Sequence, residues 1–370
     1  WAMYAIPAVP IAYMLYVKRV RYLRISVACE EALPERGRET LKTAIDVAIM
    51  LGIIGGTATS LGLGVPLLSA FITELTGVPD SNTIKLIVLA VWTLLFGASA
   101  YRGLKKGIKV LADINMVLAG LATVFILLAG PTLFILSISV NSVGQLFHNF
   151  WNMSLWMDPI DKSGFPESWT VFYWAWWFAF GAFIGLFFGR ISRGRTIRQL
   201  VLGVICWGSL GTCSFLAIAG GYSVYLESSG TFPVTQVLAD QGMFVLAAKI
   251  LTTLPSGKIV LAAFIVLSIV FYATTLDSAA YVLASVCSKN LRNDQEPPKV
   301  SRIIWAVALA VLTAGLIITE GLDAVKTSTV VSAVPLLPIF LLMCVSLVRW
   351  LNKDFGSHKP SKELALDEDT

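Results

Sequence analysis

Long apolar stretches separated by short charged breaks recur along the whole chain. They divide it into nine segments, roughly 1–17, 44–75, 84–101, 110–138, 168–189, 199–222, 257–287, 301–319 and 326–349. A helix crossing a hydrocarbon core about 30 Å thick needs about 20 apolar residues at a rise of 1.5 Å each. The pattern therefore predicts an all-α polytopic membrane protein. Trp1 already lies inside an apolar run, WAMYAIPAVPIAYMLY, with no basic stretch or small-residue cleavage site before it. The expectation is that residue 1 falls partway through a transmembrane helix and that earlier helices precede it.

Two connecting stretches are long. Residues 139–167 carry Phe147, Phe150, Trp151 and Trp156 and read as an amphipathic segment along the membrane surface. Residues 223–256 contain TQVLADQGMFVLAAKIL, read as a second interfacial helix. The end of the chain, ELALDEDT, is polar and acidic and reads as a short disordered tail within 351–370. Pro335 and Pro338 predict a kink in the last helix.

Composition agrees with the pattern. The chain is 56% hydrophobic and 14% charged, against about one quarter charged in soluble domains. Placing the loop after the first span in the cytoplasm puts 23 of the 28 lysines and arginines on that side. This orientation also makes the C-terminus cytoplasmic. The net charge of +5 then reflects topology, not an affinity for nucleic acid. The five cysteines have no paired or CxxC spacing, so they imply neither a disulfide framework nor a metal set. With His148 and His358 the only histidines, histidine-based catalysis has little to work with, and no enzyme is expected.

The stretch FYWAWWFAF, residues 172–180, holds seven aromatic side chains in nine positions. Three readings compete. Trp169 and Tyr173 suit an interfacial belt, whereas Trp177 lies about 12 Å deeper along a helix. Helix packing accounts for part of the stripe Trp169, Tyr173, Trp176, Phe180, Phe183, Phe187, although membrane helix contacts favour small residues. The third reading is a cation site. A quaternary ammonium has no N–H to donate, and indole faces attract it by about 0.5–2 kcal/mol each.

The stretch GFPESWTVFYWAWWFAFGAFIGLFFGRISRGRTIRQL resembles the eighth-helix signature of the betaine/choline/carnitine transporter family. Similar correspondences run through WAMY, GTATSLGLG, KGIKVLADINM, DPIDKSGFP and TTLDSAAYV. The resemblance covers about eight and a half of twelve helices. It implies a leucine-transporter-like inverted repeat. Residues 1–138 would be the remainder of the first repeat and 168–350 the second.

The resemblance also implies site residues. The aromatic box would use Trp1 and Tyr4 from the fourth helix and Trp176 and Trp177 from the eighth. Phe180 stands where other members carry Trp or Tyr, so it keeps a π face but offers no donor to a substrate carboxylate. Phe271, Thr274 and Thr275 match sodium-lining positions, where adjacent hydroxyls beside loosened backbone carbonyls of a discontinuous helix suit a hard cation. A threonine pair in a membrane helix otherwise just bonds back to the preceding turn. Asn115 stands where sodium-independent exchangers carry arginine. Thr57 matches one threonine of a second sodium site, but Ile53 replaces the other. Asp277 reads either as support for the ion region or as the cap of a broken helix, and Asp113 as a surface partner of Lys109.

The implied function is sodium-coupled uptake of glycine betaine, choline or carnitine by alternating access. It requires no cofactor beyond Na+ as coupling ion, and the protein would sit in the bacterial plasma membrane, in a homotrimer. The rivals are sodium-independent exchange of carnitine-like compounds and a non-transporting sensor for the same cations.

Overall fold

A computed structural model describes residues 1–20, 24–102, 105–288, 295–319 and 322–356. Every regular element among them is helical. Helix α1 (Ala2–Tyr16) leads through a 3-10 segment at Ile25–Ala32 into α2 (Arg38–Thr76), α3 (Asn82–Arg102) and α4 (Lys105–Ala129). Next come α5 (Thr132–Leu155) and α6 (Phe172–Ile191), the latter entered through a π-helical turn at Pro166–Val171. Helices α7 (Ile197–Leu202) and α8 (Gly208–Ser228) are continuous through a second π-helical turn at Gly203–Trp207. Last are α9 (Val234–Thr252), α10 (Gly257–Cys287), α11 (Lys299–Thr319), α12 (Leu322–Ala333) and α13 (Leu336–Phe355). Of the tail expected over 351–370, the residues up to Phe355 continue the last helix, and those from 357, like the basic positions Arg21, Lys289 and Arg292, lie outside the described residues.

Among the described residues, eight helices are long and apolar enough to cross a membrane. Seven coincide with expected segments, and the two shorter apolar helices, Ala2–Tyr16 and Asn82–Leu95, account for the other two. The eighth, Val234–Thr252, is the stretch expected at the interface. Gly242 interrupts it at φ 80° and ψ 172°. Each arm then rises only about 12–15 Å, half of a bilayer core.

Proline sets two further boundaries. Pro131 cannot donate to a helix and drives its predecessor out of the α region, so α4 ends at Ala129. The span expected over 110–138 is therefore shorter, and the surface helix expected from 139 begins at Thr132. Pro335 separates α12 from α13, which is the expected kink.

Close helix approach is built on glycine. A Cβ on Gly185 would meet Pro7 at 2.8 Å and one on Gly189 would meet Ile11 at 3.0 Å, so α1 lies directly on α6. Along α2, Gly52, Gly55 and Gly62 receive Leu336, Ser332 and Val325. This packing is what TATS and its flanking glycines do, in the manner of small-residue membrane interfaces. At the side expected to be cytoplasmic, Lys18 Nζ lies 2.7 Å from Asp354, and Lys353 lies 2.6 Å from Glu31. The Lys353 ammonium holds the Glu31 carboxyl below its ordinary range. These pairs are partly exposed and each is worth little in stability. The first ties the end of α1 to α13, and the second ties the 3-10 segment to α13.

Candidate functional site

Helical spacing sorts the rings of α6. Residues four apart stack: Trp169 on Tyr173 at 6.1 Å and Phe172 on Trp176 at 5.7 Å. Trp177, one position further round, turns to α1 and stacks on Tyr4 at 4.7 Å with the planes 21° apart. Trp1 meets Trp177 edge-on at 5.4 Å. Its indole Nε1 donates to Thr212 Oγ1 at 2.9 Å, and its ring lies where a side chain on Gly208 would have to go. Trp176 Nε1 donates to the Gly56 carbonyl at 3.3 Å, and Phe180 lies over the same glycine. Trp174 is half exposed on the outer face of α6.

A cavity of about 590 Å³ lies between this aromatic wall and α10. Tyr4, Tyr173, Trp176, Trp177 and Phe180 line one side, and Thr274, Thr275, Ser278 and Ser60 contribute hydroxyls to the lining. The volume is in the range of small-molecule sites. None of the described lining side chains carries a charge. Trp1 does not line the cavity but backs Trp177 from behind.

On α10, the Thr274 and Thr275 hydroxyls both donate to the Phe271 carbonyl, at 2.8 and 3.1 Å, and Ser278 donates to the Thr274 carbonyl at 2.9 Å. With its proton spent on the backbone, each oxygen keeps lone pairs with which to accept a donor or meet a cation. The expected discontinuity is absent: α10 runs unbroken over Gly257–Cys287, because the sequence there has no proline and no interior glycine. No loosened carbonyl comes from this helix, and Asp277 caps no broken end. Asp277 instead pairs with Arg302 of α11 at 2.7 Å, the two side chains 14% and 7% exposed.

The remaining candidates stand apart from the cavity lining. Thr57 is fully buried and its hydroxyl has no partner in the structure; Ile53 is also fully buried. Asn115 is buried, and its Oδ1 likewise lacks a partner. Asp113 is exposed, and the Lys109 side chain expected beside it lies outside the described residues. Sequence reasoning missed Ser60, Tyr272 and Ser278 as lining residues. Spacing held the signal for two of them: Ser278 follows Thr274 by four and Thr275 by three, and Ser60 follows Thr57 by three. Tyr272 is held between Trp92, stacked at 4.9 Å, and the bare backbone of Gly64.

The model of the BCCT family, betaine/carnitine/choline family transporter, matches residues 1–356. The chain belongs to this family. It is 32% identical to a carnitine transporter of Acinetobacter baumannii over 96% of its own length and 65% of the relative's. Against a glycine betaine transporter of Bacillus subtilis it is 34% identical over 98% of itself and 70% of the relative. Against a high-affinity choline transport protein of Escherichia coli K12 it is 31% identical over 99% of itself and 54% of the relative. The chain thus spans between about half and about 70% of the length of these relatives. BCCT proteins are transporters, not enzymes, in keeping with the expectation drawn from the scarcity of histidine.

Proposed function

We propose that this chain forms the substrate-binding part of a sodium-coupled transporter of quaternary-ammonium compounds in a bacterial plasma membrane. The observation that carries the reading is the cavity's two-sided lining, with stacked indole and phenol faces on α1 and α6 and proton-spent hydroxyls on α10 and α2. The aromatic side suits a methylated ammonium, which hydrogen bonds cannot hold. The oxygens of Thr274 and Thr275 suit a hard cation such as Na+, the further ligands coming from other elements. Asn115 adds support, because a neutral amide acceptor stands where an exchanger of the family would place a fixed positive charge. Transport would proceed by alternating access between the remainder of the first repeat (1–138) and the second (168–350), with the C-terminus cytoplasmic and the protomers in a homotrimer.

Uptake of labelled glycine betaine, choline and carnitine into proteoliposomes containing the intact protein tests this. An inward sodium gradient is expected to drive accumulation. Thr275→Ala is expected to raise the sodium concentration for half-maximal uptake on the order of tenfold, by removing one oxygen ligand worth about 1.4 kcal/mol. Uptake that ignores sodium and follows substrate on the opposite side would establish exchange instead. Binding without any accumulation would establish a sensor.

A further inference from the structure

Building on the quaternary-ammonium reading, we propose that Lys326 is a specificity-determining residue. It makes the site select zwitterionic ammonium compounds, which carry a carboxylate, over simple cations such as choline.

Lys326 lies on α12, and its Nζ sits 4.7 Å from the centroid of the Trp169 ring and 5.7 Å from that of Phe172. Those two rings are the outer members of the α6 ladder. Trp169 stacks on Tyr173 and Phe172 on Trp176, and both inner rings line the cavity. The ammonium is therefore one ring removed from the binding space, at the end of α6 away from Arg190 and Arg193. Among the described residues, no carboxylate comes within ion-pair distance of it. The described lining side chains are uncharged. Asp277 on α10, three residues past the cavity-lining Thr274, is already engaged by Arg302 at 2.7 Å.

A site for a cation thus stands beside a fixed positive charge. Two ring spacings, 4.7 and 6.1 Å, put that charge on the order of 10 Å from a ligand at Tyr173. At an effective dielectric of about 20, two unit charges at that distance repel enough to weaken binding about tenfold. A bare cation bears that loss in full. A zwitterion recovers it by turning its carboxylate toward α12 while its methylated nitrogen faces Trp177. Phe180 has no N–H or O–H to offer that carboxylate, so Lys326 supplies charge complementarity that the middle of α6 does not. Lysine suits the task because its ammonium rides on a flexible four-carbon stem. Seated over Trp169, it also keeps that outer face from holding a free cation.

The test compares equilibrium binding of glycine betaine and choline, which share a trimethylammonium group, to the intact protein in its native form and as Lys326→Met and Lys326→Arg. Native protein is expected to bind glycine betaine more tightly than choline. Lys326→Met should weaken glycine betaine, strengthen choline and move their ratio about tenfold toward choline, while Lys326→Arg keeps the native ratio. An unchanged ratio in a folded Lys326→Met protein would overturn the proposal, and so would a native preference for choline. The native preference is decisive even if the methionine variant does not fold, and Lys326→Gln then provides the second charge-removing variant. Native protein that binds neither compound would instead remove the transporter reading on which the proposal rests.

Discussion

Trp177→Ala is expected to weaken equilibrium binding of the transported ammonium compound by about 100-fold while the protein still folds. Two contributions add up. The indole is the face nearest the α1 rings, stacked on Tyr4 at 4.7 Å and met edge-on by Trp1 at 5.4 Å. A desolvated cation over such a face gains about 2 kcal/mol, and the aromatic pair orders the site by a further 0.5–1.5 kcal/mol. Together they come to about 3 kcal/mol, or about 100-fold in affinity. Trp177→Phe keeps a ring and is expected to lose only a few-fold. Isothermal titration of the purified intact protein measures both, and an unaltered affinity in the alanine variant would remove Trp177 from the binding wall.

Arg302→Met is expected to be the most damaging single change to stability. It leaves the Asp277 carboxylate, whose side chain is only 14% exposed, without its counter-charge between α10 and α11. Removing one partner of a buried pair costs about 3–5 kcal/mol, whereas removing both costs far less. The double variant Asp277→Asn, Arg302→Met should therefore regain most of the thermal stability lost by the single one. A melting series in detergent checks the order. The same variants, assayed for sodium-driven uptake, separate two roles for Asp277. If the acid only balances Arg302, the double variant keeps native sodium dependence; a shifted dependence would mean that the acid acts on the ion region.

The sequence made the helical architecture legible because the solvent is lipid: only continuous apolar runs satisfy their own backbone there. The breaks it left obscure depend on single residues. Pro131 divides a run that hydropathy alone reads as continuous, and Gly242 divides α9 through one left-handed φ. In the candidate site, the ring-rich face of α6 announced itself through its 4-3-4 spacing. Which ring turns inward did not follow from spacing, since Trp176 and Trp177 are neighbours and their roles are set by Gly56 on one side and Tyr4 on the other. The α10 contribution was readable as a motif but not as geometry. TTLDS suggested a broken helix, while a sequence without breakers gives an intact one in which the Thr274, Thr275 and Ser278 hydroxyls are bonded backward. Lys326 was visible only as a basic residue on the sparse side of the charge distribution. Its partner rings are more than 150 positions away in sequence, and tertiary packing alone brings them together.

The account's central claim is that the ring wall of α1 and α6 holds a methylated ammonium. The most direct measurement is an experimental density map of the intact protein saturated with a trimethylammonium ligand. The account predicts ligand density in the cavity, with the quaternary nitrogen within about 6 Å of the Trp177 ring centroid. A well-occupied ligand elsewhere, with the Trp177 and Tyr4 rings still packed on each other and nothing beside them, would contradict it.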